Sequence, residues 1–459
     1  MLCRLSHLLN VRMRRGSHRS ATWKVLIRVS LVWLLGGSFT IGVLPLAQAA
    51  ATGATPTAFV VNSAANTVTP IDVATGIAGT PIMAGSAPTA IALTPGGTTA
   101  YVVDQKGGTV TPISVATDTA ASPIIVGADP SEIAIAPDGG TTYVTNPGSN
   151  TVTVIDTATN TVKFKIVVGS RPEGIAITPN GKTAYVANSG TNTVTPIDVA
   201  SGKAGTPIVV GSAPTAIAVT PSGATAYVAD QKSDTVTPIS VARNTAATPI
   251  SVGAGPTSIA ITPNGATAYV ANSGSAMVTP IDTTTNTARA PITVGSAPAA
   301  IAITPDGTTV YVANRGSGTV TPISTASNTT GSPIAVGTGP SGIAITPDQA
   351  PIASFTARAV VIHNRCGFIG MFNASASIAP GAPITKYAWN FGDGSVVSTS
   401  PQIFISFNAG RYAVILTETD ADGTSTTRVF TGQTMSLNGG PSATRRGTIS
   451  GGSGSPYCS

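Results

Sequence analysis

From residue 57 onward the apolar positions fall in short runs separated by Gly, Pro, Asn, Ser and Thr. One run, an aromatic residue followed by Val, returns at a fixed spacing. It stands at Phe59-Val60, Tyr101-Val102, Tyr143-Val144, Tyr185-Val186, Tyr227-Val228, Tyr269-Val270 and Tyr311-Val312, each 42 residues after the last with no insertion. Such a period marks a repeat architecture. One unit, residues 172–213, holds four strand candidates at 175–177, 184–187, 193–198 and 207–210. Pro179-Asn180-Gly181 joins the first two. Pro presets φ for entry into the turn and Gly accepts the positive φ that closes it. Four antiparallel strands per 42 residues make one propeller blade. A parallel β-helix would use shorter coils, and a helical solenoid would need apolar residues at helical spacing.

The Ile-Ala strand begins at 91, 133, 175, 217, 259, 301 and 343, which sets the count at seven blades over residues 57–348. The chain enters on the Phe59 strand and leaves on Gly342-Ile343-Ala344-Ile345, so the closing blade takes three strands from the N-terminal end and one from the C-terminal end. Closure of this kind removes free sheet edges. Pro196 and its equivalents sit inside the third strand, where a proline deletes a ladder donor, and they are read as marking a bulge or an unpaired position. The third copy has Val154 there. A longer period is also present: Asp104-Gln105-Lys106 returns as Asp230-Gln231-Lys232, offset by 126.

These units resemble the YVTN-type β-propeller repeats of bacterial and archaeal surface and periplasmic proteins. Tyr143-Val144-Thr145-Asn146 matches the name, and Tyr-Val-Ala-Asn stands at 185, 269 and 311. The resemblance implies an extracytoplasmic setting and no single activity. After Asp348 the period stops. Residues 351–431, with FNASAS, ITKYAWNFGDG and FNAGRYAVILTETDADGTS, look like a PKD-type module, an immunoglobulin-like β-sandwich. Trp389 and Phe391 alternate toward one face, as do Tyr412, Val414 and Leu416, as a sandwich core requires. Asp420, Asp422 and Gly423 read as a hairpin turn, since two carboxylates supply too few oxygens for calcium. Residues 432–459 are rich in Gly, Ser, Thr and Arg and are expected to form a flexible tail. The expected fold is therefore all-β, a seven-bladed propeller followed by a sandwich.

Charge sharpens this picture. The formal net charge is +6, but seven of the 24 Lys and Arg fall within the first 28 residues, which contain no acid. The remainder has 17 basic against 18 acidic side chains, so the concentrated basic surface of a nucleic-acid binder is absent. The basic stretch to Arg28, the apolar stretch from Val29 to Leu46 and Ala47-Gln48-Ala49-Ala50 have the order of an export signal over residues 1–49. Cleavage is expected near Ala49, with an uncleaved anchor as the alternative. Beyond residue 50 no apolar run is long enough to cross a bilayer. With Cys3 in the leader, Cys366 and Cys458 remain as a candidate disulfide, the alternative being two free thiols.

Residues 57–348 contain no His and no Cys, and the His outside the leader is His363, in the second domain. The ring thus lacks an ordinary general base near neutrality, a thiolate and an imidazole metal ligand. Asp72, Asp156, Asp198 and Asp282 share one repeat position, as do the Asn or Asp residues ending each Tyr-Val strand, and both sets read as turn formers. Departures from the repeat say more. Asp129 and Glu132 lie in the loop before one Ile-Ala strand, and Arg171 and Glu173 in the loop before the next. By symmetry these loops are neighbours at one mouth of the channel, a candidate ligand-binding spot or a set of surface ion pairs. Lys163-Phe164-Lys165 replaces the Pro-containing outer strand with an amphipathic edge that its charges guard.

On this reading the chain is a secreted or cell-surface, non-catalytic interaction protein. It presents loops to an extracellular protein, glycan or cell-wall partner, with no cofactor, no nucleic acid and no membrane anchor once the leader is removed. Two alternatives stay open: a carboxylate-based hydrolase or lactonase using Asp129, Glu132 and Glu173, and a self-associating surface-layer component.

Overall fold

The computed structural model describes residues 56–347 and, in the second domain, 356–361, 367–373, 375, 384–390, 395–398, 400–408, 410–420 and 442–451. The leader, His363, Cys366, Phe391, Asp422, Gly423 and Cys458 lie outside the described residues. The protein is all-β, with seven propeller blades, and no helix occurs among the described residues. No helix there is long and apolar enough to cross a membrane.

One blade closes the ring with Thr57–Asn62, Thr67–Asp72 and the short strands Ile77–Ala78 and Ile82–Met83, joined by Pro340–Ile345 from the far end of the propeller. It is called the seam blade. Its register pairs Ala58 with Ile345 and Val60 with Ile343. Blades 1 to 6 follow in chain order. In blade 3, Pro172–Ile177, Thr183–Asn188 and Thr193–Asp198 form an antiparallel sheet whose outer strand is split into Lys203–Ala204 and Ile208–Val209.

The split has a cause in the repeat. Pro196 pairs inward with Tyr185, while its carbonyl points outward and accepts from the Gly205 N–H at 2.7 Å. N–H and C=O of one residue in an antiparallel strand point the same way, so the donor missing at Pro196 is also the outward one. Inner pairing survives, and the outer strand is interrupted opposite the proline. Blade 2 has Val154 at this position and a continuous outer strand, Thr161–Val167, with Val154 opposite Phe164 and a bulge beside it.

The core lies between adjacent blades, where Ile, Val and Ala from facing sheets are buried. The repeat Tyr is buried as well and spans the gap. The Tyr101, Tyr185 and Tyr227 hydroxyls donate to Asn160, Asn244 and Asn286 of the next blade at 2.6, 2.5 and 2.6 Å. Burial raises the pKa of each of these phenols, so they remain donors across the physiological range.

The Asn or Asp ending each second strand is more than a turn former. It is fully buried and reaches across to the third strand, as where the Asn188 amide donates to Thr195 Oγ1 at 2.8 Å. At Asp230 the direction reverses, and the Thr235 and Thr237 hydroxyls donate to Oδ2 at 3.3 and 2.6 Å. Its other oxygen, Oδ1, is buried with no partner of good geometry. Desolvation pushes the Asp230 pKa up to about 6, and that of Asp104 upward for the same reason.

The second domain has two antiparallel sheets. One orders Thr356–Val361, Gly367–Asn373 and Gln402–Asn408, and the other Ser395–Ser398, Ile384–Asn390, Gly410–Asp420 and Ser442–Gly451. Trp389 is fully buried, as its core position in the sequence suggests. Ser442–Gly451 departs from the expected tail: it pairs along its length with Gly410–Asp420. It is the edge strand of its sheet, held by a ten-residue backbone ladder.

Candidate active site at the channel mouth

The first strands of neighbouring blades stand side by side around the axis, and each is entered through a loop of form Gly-x-x-Pro. The residue before the Pro has positive φ in every blade: Ala87, Asp129, Arg171, Ala213, Gly255, Ala297 and Gly339. A side chain from the preceding hairpin holds it there. Asn150 Oδ1 accepts the Arg171 N–H at 2.9 Å, and Asn192 does the same for Ala213. Arg171 therefore starts from a fixed backbone although its side chain is 68% exposed.

After the Pro, the next position is a hydroxyl residue in five blades, Thr89, Ser131, Thr215, Thr257 and Ser341. Four of these hydroxyls donate to a backbone carbonyl of the adjacent first strand, for example Thr89 to Ser131 O at 3.0 Å and Thr257 to Pro298 O at 3.0 Å. Glu173 occupies this position in blade 3. Its Oε2 accepts from Ser131 Oγ at 2.8 Å, and its Oε1 from Ser189 Oγ at 3.4 Å, with Arg171 Nη2 at 3.7 Å. Gly174, next in sequence, lets the strand lie against blade 4: a Cβ there would be 2.6 Å from Thr215 O.

Thr145 of blade 2 secures the backbone beneath this group. It is fully buried where blades 3 to 6 have Ala, and its hydroxyl donates to Glu173 O at 2.7 Å and accepts the Glu132 N–H at 3.0 Å. Glu132 replaces the small residues buried at the same place in other blades, and its Oε1 accepts the Ile133 N–H at 3.2 Å.

Of the four charged residues singled out in the sequence, Arg171 and Glu173 form a pair, Glu132 lies on the adjoining strand, and Asp129 is exposed in its loop with no bond to the others among the described residues. Ser131, Thr145 and Ser189 complete the site and were not singled out. Thr145 carried a visible signal, a polar residue where the repeat is otherwise apolar. A separate cleft of about 400 Å³ opens near the seam, lined by Phe59, Asp72 and Asp118, where Phe59 lacks the hydroxyl of the other repeat aromatics.

The family model described as lactonase, seven-bladed β-propeller, matches residues 85–206, 169–248 and 217–354, more than half of the chain. The chain belongs to the seven-bladed β-propeller lactonase family. Membership overturns the expectation of a non-catalytic interaction protein, because it places the propeller in an enzyme family. The lack of His and Cys in the ring misled that reading, since a carboxylate can serve as a base by itself. The PKD domain model matches residues 348–434.

Solved structures agree on the fold of this lactonase-family ring. Hydrazine synthase of Kuenenia stuttgartiensis is 24% identical with a TM-score of 0.55, the match covering 63% of this chain and 99% of that one. A putative 6-phosphogluconolactonase from Bacteroides uniformis is 15% identical with a TM-score of 0.56, covering 63% and 99%. The periplasmic gluconolactonase of Pseudomonas aeruginosa is 18% identical with a TM-score of 0.55, covering 64% and 99%. No curated protein matches the chain.

Proposed function

We propose that the chain hydrolyses a lactone at the channel mouth, with Glu173 as general base. The observation that carries this reading is the set of contacts on Glu173: one carboxylate, in a position that otherwise holds a hydroxyl residue or Ala, receives two serine hydroxyls and faces a guanidinium. The serines fix the carboxylate without neutralising it. A water on its exposed side gives up a proton to Glu173 as its oxygen adds to the lactone carbonyl. The ring C–O bond then breaks, and the departing alkoxide recovers that proton. Arg171 faces the negative charge that develops on the carbonyl oxygen before the ring bond breaks, and the carboxylic acid formed then loses its own proton to water. Sugar lactones are the substrate class of first choice, as the names of the Bacteroides and Pseudomonas proteins suggest. The leader and the periplasmic setting of the Pseudomonas protein support an exported enzyme.

The test is hydrolysis of glucono-δ-lactone and its 6-phosphate, followed by proton release. Glu173→Gln keeps the shape of the side chain and removes its basicity, so kcat is expected to fall by roughly 10²-fold or more with little change in KM. Wild-type turnover in that variant, or no turnover of any sugar lactone by the unaltered chain, would overturn the assignment.

A further inference from the structure

The rim of blade 2 differs from every other rim. In the seam blade and blades 1, 3, 4, 5 and 6 the outer strand carries a proline, at Pro81, Pro123, Pro207, Pro249, Pro291 and Pro333. Blade 2 has Lys165 there, and it is also the blade with Val154 in place of the third-strand proline. Both prolines are thus missing from one blade, and the result is the continuous strand Thr161–Val167 at the edge of its sheet. The Val168 N–H points inward, to Asn150 O at 3.1 Å. Backbone groups alternate along a strand, so those of Val167 and Lys165 point outward. The position at which six blades delete an outward donor is the one at which blade 2 restores it.

The side chains say what kind of strand would fit. Lys163 and Lys165 flank Phe164; Lys163 lies 3.5 Å from Asp156, and Lys165 has no carboxylate partner among the described residues. An identical strand from a second copy, centred antiparallel on Phe164, would set Lys163 opposite the other copy's Lys165, and like charges directly opposite repel. An acidic strand meets the unpaired charge of Lys165 and, at Lys163, a cation that it shares with Asp156. Apolar contact is also at hand: Val167 is 74% exposed, and the equivalent residues of the two adjoining blades, Ile125 and Val209, are 81% and 74% exposed. The same position holds Ser251, Thr293 and Ala335 in blades 4 to 6.

We propose that Thr161–Val167 is a docking edge for an extended acidic polypeptide segment, which adds to blade 2 as a further antiparallel or parallel strand. Backbone hydrogen bonds to Lys165 and Val167 hold the segment, and its carboxylates meet Lys163 and Lys165. This site is on the rim and independent of turnover at the mouth.

The experiment uses the full chain and a fluorescein-labelled peptide of alternating Glu and Val, matched in length to the strand, with the Lys-for-Glu peptide as control. Fluorescence anisotropy should show binding of the acidic peptide, weakened by salt, and none of the basic one. Lys165→Pro restores the residue that six blades tolerate. It should reduce affinity by roughly tenfold through the lost backbone donor, with lactone turnover unchanged. Lys163→Glu with Lys165→Glu should exchange the preference toward the basic peptide. Absence of binding, or equal binding by Lys165→Pro, would overturn strand addition. A peptide-free dimer in sedimentation that Lys165→Pro dissolves would overturn the acidic partner in favour of a second copy.

Discussion

Blades 2 and 4 both depart from the repeat, and the difference between them lies in where. Blade 2 changes at the mouth, with Glu132 and Thr145, and at the rim, with Val154 behind Lys165. Blade 4 changes inside the fold, at the fully buried end of its second strand, where Asp230 replaces the Asn found in five blades. Of the departures in blade 2, Thr145 and Val154 stay buried, while Glu132 is partly exposed and Lys165 is exposed. The departure in blade 4 places an ionisable group at a fully buried position, and its effect falls on stability alone.

The largest expected effect that separates these cases is that of Asp230→Asn. A carboxyl with a raised pKa makes the folded chain bind more protons than the unfolded one between about pH 4 and 6, so stability falls as pH rises through that window. Removing the charge should add on the order of 2–3 kcal/mol at pH 7 and flatten the pH profile there, as urea denaturation from acid to neutral pH would show. No gain at pH 7 would mean that Asp230 is already solvated.

Thr145→Ala makes blade 2 like blades 3 to 6 near the mouth. It releases the backbone of Glu132 and Glu173 without touching the Glu173 carboxylate. Lactone turnover should drop about tenfold, with about 1 kcal/mol lost in stability. Equal loss of activity and folded fraction would reduce Thr145 to a core residue. The smallest effect is expected from Val154→Pro. The outer strand should split as in other blades, detected as faster amide exchange across 161–167, with turnover unaltered and stability changed by about 1 kcal/mol.

The ring was legible because a 42-residue period without insertions counts blades directly, and the three-plus-one seam follows from where the period begins and ends. The mouth was legible in part. Arg171 and Glu173 showed themselves as charges in a charge-poor repeat, but Ser131 looked like one more hydroxyl among Thr89, Thr215 and Ser341. What distinguishes it is its neighbour: the same donor that meets a carbonyl elsewhere meets a carboxylate here. The second-strand Asn and Asp residues were read as turn formers that bond nearby backbone, as Asn146 does to Thr151 O, but their burial and their reach to the third-strand hydroxyls depend on that strand folding over them. The rim was visible in Lys163-Phe164-Lys165, but the reason for its continuity needed the outward direction of the Pro196 carbonyl.

The seam also governs the order of events during folding. The Thr57 N–H is bonded to Thr346 Oγ1, 289 residues further along the chain. The first strand of the ring is thus among the last to be covered, and six blades must be in place before its open side meets Pro340–Ile345. Contacts of such long range are slow to form, and an exposed edge waiting for them invites wrong partners. The closing strand acts as a timing element: the ring becomes a closed object only when nearly all of its sequence has been made.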